Sequence, residues 1–278
     1  MLTIKFELPE SETVELVPIG DVHLGNPLCS ESDFKRTIDY ILEEPEDPKC
    51  ARICLLNGDL TESVTRTSKG DPFEMTYTPS VQMAMIIKYL LPLTETSSKY
   101  PQGKILSYCA GNHDWGRYKD TGISSAESIA VKLGLEDRFS VDGCYSFIYV
   151  RRISHSSKRA VHTVFNTHLT GGGSTVGGKA NRVGKVGSSL FADLIVGSHV
   201  HLPMTFKEDF IIPDTQKGML SQETITFLIT NAFLRYGDYA LRASMRPSSI
   251  AVPIAYLRQG RDATGGKDKR FTFTEVIL

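Results

Sequence analysis

Short apolar runs that stop abruptly at a residue able to hold a metal or a proton recur along this chain. They limit its fold more than anything else in it. The clearest is Ile105 to Trp115, ILSYCAGNHDW. Ile105, Leu106 and Tyr108 mark a short buried strand, and Gly111 breaks it. Asn112, His113 and Asp114 follow at once. An amide oxygen, an imidazole and a carboxylate thus arrive at the C-terminal end of a strand, where open α/β sheets place their ligands. Gly-Asn and Asn-His are also ordinary turn residues, and alone the stretch reads as a polar turn.

The same punctuation is found elsewhere. Thr3 to Leu8 alternates as a half-buried strand should. Val14 to Ile19 ends at Gly20-Asp21-Val22-His23, and an extended chain of period two puts Asp21 and His23 on one face. A lone Asp-x-His pair is weak evidence for a metal. Ala51 to Asn57 ends at Gly58-Asp59, Ala160 to Thr167 at His168, and Leu194 to Gly197 is followed by His199 and His201. Between these runs, Ser30 is placed to cap a helix with Phe34, Ile38, Ile41 and Leu42 on its apolar face. Thr78-Pro79 starts another that carries Met83, Ile86, Ile87, Leu90 and Leu91 inward, and the long stretch Thr61 to Tyr77 before it reads as a functional or mobile loop. Ser124 and Glu127 form a capping box for a short helix ending at Gly134. Asp142-Gly143 reads as a hairpin turn, and beyond it strands dominate: Cys144 to Val150, Thr224 to Ile229, Ile250 to Leu257 and Phe271 to Ile277. The first half is β-α-β-α-β and the second mostly β. No Pro/Gly-rich linker divides them, so the expectation is one α/β (α+β) domain over residues 1–278, with two packed sheets and helices outside.

Charge and cysteine usage narrow the class. A formal net charge of -1 argues against a generally basic nucleic-acid clamp and leaves room for a local basic groove. Cys29, Cys50, Cys54, Cys109 and Cys144 show no zinc spacing and sit mostly among apolar neighbours, so they read as buried thiols of a reducing, cytoplasmic compartment. MLTIKFELPE holds no apolar h-region, and no apolar run approaches ~20 residues, so neither secretion nor membrane spanning is expected.

The histidines carry the next step. Five of the seven, His23, His113, His168, His199 and His201, follow strands directly, and only His155 and His162 lie elsewhere. Core histidines scattered by chance would not gather at strand ends, so signals that are weak singly become strong together. The series Asp-x-His, Gly-Asp, Gly-Asn-His-Asp, His and His-x-His, over roughly residues 14 to 205, resembles the calcineurin-like metallophosphoesterases. That resemblance implies a four-layer sandwich, two mixed β-sheets packed face to face with helices on the outside, and two divalent metal ions. Asp21, His23 and His201 would hold the first ion, Asn112, His168 and His199 the second, and Asp59 would bridge them. His113 would be a non-ligand histidine facing the substrate, oriented by Asp114. Oxygen and nitrogen donors without thiolate suit manganese first, with iron and zinc also open. Two dications, two carboxylates and a bridging hydroxide leave about +1, attractive to a phosphate without trapping it. The sequence departs from the family at Ser198, which separates Gly197 from His199 where the family reads Gly-His-x-His. After Asp59 come Leu60, Thr61, Glu62 and Ser63, with no basic residue before Arg66, which counts against the protein serine/threonine phosphatase branch.

Two basic segments remain. Gly173 to Lys179 (GSTVGGK) matches the first seven positions of a Walker A loop, but Ala180 stands where a magnesium-binding hydroxyl belongs. The segment reads as a flexible connector or as a surface for a phosphate backbone, with Lys179, Arg182 and Lys185 recurring every three residues on a helix. Arg151 to Arg159 reads as a solvated hairpin end. The expected function is metal-dependent hydrolysis of a phosphate ester, foremost a phosphodiester in single-stranded nucleic acid or a nucleotide, as in the bacterial and phage repair exonucleases the chain resembles. A hydroxide between the metals would attack phosphorus in line, and His113 would protonate the leaving oxygen. A phosphomonoesterase with the same metal pair is one alternative. A binding scaffold without catalysis is another, and it would be marked by missing ligands, of which none is missing.

Overall fold

The structure, a computed structural model, describes residues 1–278 apart from 66–71, 153–154, 172–174, 215–217, 238–246, 248, 260–271 and 278. Parts of the expected 61–77 loop, of the glycine-rich stretch and of the 151–159 segment therefore lie outside the described residues, as does Phe271. In chain order the elements are β1 (Leu2–Leu8), β2 (Thr13–Ile19), α1 (Glu31–Leu42), β3 (Cys50–Asn57), α2 (Pro79–Leu90), β4 (Ile105–Cys109), α3 (Asn112–Thr121) and α4 (Ser125–Leu133). There follow β5 (Phe139–Ser140), β6 (Cys144–Arg152), β7 (His155–Thr167), α5 (Val176–Gly187), β8 (Leu194–Gly197), β9 (Met204–Asp214), β10 (Met219–Ile229), β11 (Ile254–Gln259) and β12 (Thr272–Ile277).

The strands form two six-stranded mixed sheets, ordered β1-β6-β7-β8-β10-β9 and β12-β11-β2-β3-β4-β5. In the second sheet β2, β3, β4 and β5 run parallel, and in the first β7, β8 and β10 do. β3 is buried at all eight positions, as a central parallel strand covered on both faces must be. Its alternate residues divide the core. Ala51, Ile53 and Leu55 face Phe6, Leu8, Ile148 and Val164 of the other sheet, while Cys54 and Leu56 pack under Phe34, Ile41, Ile86 and Ile129 of the helices. On the far side Val183 of α5 packs with Ile195 and Phe227. The result is an α/β fold of four layers, helix, sheet, sheet and helix. Among the described residues no helix is long and apolar enough to cross a membrane.

Several local expectations change. Leu42 and Leu91 are exposed, and α2 buries Gln82, Ile86 and Leu90, a ridge at spacing four that places one amide inside. Asp142-Gly143 is no hairpin turn, because β5 belongs to one sheet and β6 to the other, so these residues carry the chain between sheets. β11 begins at Ile254, just after Pro253, which has no N–H to give a ladder. β9 and α3 were not anticipated. The GNHD stretch, which taken alone reads as a polar turn, starts a ten-residue helix with Gly111 as N-cap.

Candidate metal centre

Each candidate ligand sits where a parallel strand ends, and both sheets present those ends to one another. His199 donates its backbone N–H to Asp21 Oδ2 at 2.7 Å, and Asn57 Nδ2 donates to the Thr167 carbonyl at 3.1 Å, so loops of opposite sheets are tied directly. β2 stops at Ile19, so Asp21 and His23 do not share a site through a continuing pleat. They reach it through left-handed backbone, with φ of 50° at both. Asp59 (51°), His199 (79°) and His201 (51°) are also left-handed. Such a conformation costs of order 1–3 kcal/mol for a residue with a Cβ and persists only where surrounding contacts over-determine it.

Asp21, His23 and His201 form the first cluster. Asp21 Oδ1 lies 3.4 Å from His201 Nε2 and 3.9 Å from His23 Nε2, and the two ring nitrogens are 3.4 Å apart. Donors ~2.1 Å from a tetrahedral metal stand ~3.4 Å from each other, so these three fit one cation. Asp21 Oδ1 makes no hydrogen bond although it is buried, which is costly unless a cation faces it. Burial opposes ionisation of Asp21, but His201 beside it holds the carboxyl below its usual range.

Asp59, His168 and His199 form the second. His168 Nδ1 lies 2.9 Å from the Asn57 carbonyl, and a carbonyl only accepts, so Nδ1 carries the hydrogen. Ser198 Oγ, 2.8 Å from the same nitrogen, donates to that carbonyl as well at 2.5 Å. Nε2 is therefore left to face Asn112 Oδ1 at 2.9 Å and Asp59 Oδ2 at 3.2 Å. Two oxygens and a nitrogen lone pair converge there and repel unless a cation stands among them. Burial pulls the His168 imidazole down, yet Asp59 pushes it up to about 10, which shows how strongly positive charge is favoured at this point. Asp59 in turn, despite burial, is held well below its usual range by His168 and His113. Burial and the neighbouring His168 keep His199 down at about 4, so its ring is neutral with a lone pair to give. Both donor sets fit divalent cations.

His113 departs from the expectation. Its ring is held by Glu62, whose backbone carbonyl accepts from Nδ1 at 2.6 Å, and not by Asp114. Asp114 Oδ2 instead accepts from the Gly111 N–H at 2.9 Å, closing the first turn of α3. Burial, reinforced by Asp59, pushes Asp114 up to about 6. For His113, burial lowers the imidazole but Asp59 and Glu62 raise it above its ordinary value. The His113 backbone N–H donates to Asp59 Oδ1 at 2.9 Å, which leaves Oδ2 as the oxygen facing the ligands.

Three contributors were missed. Glu62 is buried, its Oε2 lies 2.9 Å from His23 Nδ1, and with His23 and His113 it makes a third cluster of possible ligands. A carboxylate three residues after Gly58-Asp59 was the available signal. Adding it brings the formal charge sum from about +1 to about zero. Asn57, fully buried, joins the sheets beneath the site, its Oδ1 accepting from Cys109 Sγ and Asn166 Nδ2. Ser198, read as a spacer, helps fix the His168 tautomer.

The basic helix lies beside this centre. Lys179 Nζ donates at 2.7 Å to the carbonyl of Val200, between His199 and His201, so it braces that loop. Steps of three turn 300° on a helix, so Lys179 and Lys185 point ~120° apart and do not form one row. Lys179 and Arg182 are half-buried and Lys185 is exposed.

No protein-family model matches this sequence, and no curated protein matches it. Among solved structures it is similar to a conserved protein of Streptococcus pneumoniae described as a predicted phosphoesterase, with 9% identity, 88% of this chain and 82% of that chain covered, and a TM-score of 0.34. It is also similar to a metallophosphoesterase from Sphaerobacter thermophilus, with 12% identity, coverage of 95% and 88%, and a TM-score of 0.36. At these scores neither likeness carries a substrate or an activity across.

Proposed function

We propose that this protein is a metal-dependent hydrolase of phosphate esters, with phosphodiesters as its preferred class. The observation that carries the reading is the pair of donor clusters at facing strand ends, built on left-handed corners and with the His168 tautomer fixed. Asp21, His23 and His201 would hold one cation; Asn112, His168 and His199 the other, with Asp59 Oδ2 between. When bound, two such cations neutralise phosphate charge and supply a nucleophile at neutral pH. The protein's own residues do the rest. The Glu62 carbonyl fixes the hydrogen of His113 on Nδ1, so Nε2 is the atom that exchanges a proton with the leaving oxygen. Asp59 and Glu62 keep that imidazole protonated to higher pH than usual. The Asp114 carboxylate holds the helix turn that carries it. Glu62 also favours a diester: lowering the formal charge of the site removes twice as much attraction from a dianionic monoester as from a monoanionic diester.

The test is hydrolysis of p-nitrophenyl phosphate, its bis ester, single-stranded DNA and cyclic nucleotides, each with manganese. Diester turnover should exceed monoester turnover, and Asp59→Asn should abolish it and lower the metal stoichiometry. A variant that kept two metals and ordinary turnover would remove the bridging role. Preference for the monoester would make the protein a phosphatase.

A further inference from the structure

α3 begins at the metal centre and leads away from it. Its first residue, Asn112, has its side-chain oxygen 2.9 Å from His168 Nε2. Residues three and four apart are neighbours on a helix, so Asn112, Trp115, Tyr118 and Lys119 form one ridge, and all four are exposed. Trp115 is the chain's one tryptophan. It is 48% exposed and Tyr118 is 44% exposed, although both are large apolar rings, and neither belongs to a core cluster among the described residues. The rings are stacked, with centroids 5.4 Å apart and planes 19° from parallel, and Lys119 Nζ lies 5.4 Å from the indole centroid. Both partners come from the turn after Trp115, and with them in place about half of the indole surface still faces solvent. On the His113 side of the same helix, Arg117 Nε and Nη1 find no hydrogen-bond partner among the described residues.

A flat aromatic surface, cations on the same helix, and direct continuity with the candidate metal centre suit one kind of ligand. We propose that Trp115 and Tyr118 form a stacking platform for a base of single-stranded nucleic acid whose phosphodiester lies at the metal centre. The placement of that phosphodiester rests on the hydrolase reading above; the platform itself does not. Asn112 to Tyr118 spans ~9 Å along the axis, so the ridge can follow a strand past the nucleotide at the metals. Bases stack on aromatic rings regardless of sequence, and Lys119 meets the backbone charge.

Because Trp115 is the sole tryptophan, its fluorescence reports this surface without any mutation. In metal-depleted buffer, where nothing is hydrolysed, a short oligothymidylate should quench it saturably. A strand of abasic sites of equal length, and thymidine monophosphate, should each bind at least ~10-fold more weakly. Trp115→Ala should raise the Kd of a labelled oligothymidylate about 10-fold by anisotropy, and Trp115→Phe should restore most of the affinity. Equal affinity for the abasic strand overturns the platform. Monophosphate binding as tight as the oligomer replaces the strand with a mononucleotide. Absent quenching together with concentration-dependent dimerisation overturns it in favour of self-association. Failure of the hydrolase reading looks different: no phosphate ester is turned over with manganese, while the quenching titration still discriminates bases from abasic sites.

Discussion

Gly111→Ala isolates the packing beneath the metal centre. The backbone there, at φ -105°, is open to any residue, so conformational strain contributes nothing. A Cβ, however, would lie 2.0 Å from Asp59 Oδ1, 2.4 Å from its nitrogen and 2.6 Å from Cγ. Ordinary contact begins at 3.4 Å, so the carboxylate must retreat by 3.4 - 2.0 = 1.4 Å. Asp59 is 1% exposed and cannot swing into solvent. Overpacking of this kind costs about 1–3 kcal/mol, and loss of the charged hydrogen bond from the His113 N–H about 1.5–3 more. Together they amount to roughly 3–6 kcal/mol, a fall in Tm on the order of 10 °C for a chain of this size. A ligand displaced by more than ~1 Å should also cost about 10²-fold in rate. Calorimetric unfolding with and without manganese, and titration of the metal, read both effects. Gly116→Ala in the same helix is the control, since its Cβ meets nothing within 4 Å and should stabilise by up to ~1 kcal/mol. If Gly111→Ala melts and binds metal as the parent does, Asp59 is not packed where the structure places it.

His113→Ala should keep both metals but lose ~10²-fold or more on substrates with alkoxide leaving groups, and less on p-nitrophenyl esters, which leave without a proton; equal losses on both would show that His113 is not the acid. His162 is fully buried, both ring nitrogens lack a hydrogen-bond partner among the described residues, and burial lowers it from 6.5 to about 4. The unfolded chain takes up that proton near 6.5 and the folded chain only near 4, so stability is full above the first value and falls by roughly 3 kcal/mol as pH drops to the second. His162→Leu should flatten that limb of the Tm–pH curve, and an unchanged limb would contradict the assignment.

The layers were legible because β3 and its neighbours are continuous apolar runs, and such runs name buried parallel strands without help from tertiary contacts. The gathering of His23, His168, His199 and His201 was legible for a different reason, since each follows a strand directly. Gln82 and Asn57 were not. Each is a polar side chain inside an apolar pattern, and its task is set by partners remote in sequence: the Ser63 N–H for Gln82, and the Thr167 carbonyl, Cys109 and Asn166 for Asn57. The start of α3 was hidden because Gly111-Asn112-His113-Asp114 has turn composition. What makes it helical is the Asp114 carboxylate folding back to the Gly111 N–H, a contact that spacing alone does not announce. β9 is paired along its whole length with β10, and its exposed face lacks the apolar run by which the other strands were read.

Glu62 belongs to this centre on grounds independent of its distance to His23. Among the described residues six non-glycine residues have left-handed backbone, and five of them are candidate ligands. Three of these corners are held by a neighbouring loop and not by their own: the Asp21 N–H donates to the Gly58 carbonyl, the His23 N–H to that of Asp59, and the His199 N–H to the Asp21 carboxylate. The strain is thus sustained by the packing of the two sheets, so the donors are set before any cation arrives, as a rigid site requires. The sixth such residue is Ser63, beside Glu62. Its N–H donates to buried Gln82, and its hydroxyl lies within hydrogen-bond distance of Thr61 and Ser125, so a strained peptide is again clamped by residues from other elements. A residue whose only role was to end a loop would not need that. The clamp serves to hold the Glu62 carbonyl against His113 and its carboxylate against His23, so that one residue braces both imidazoles.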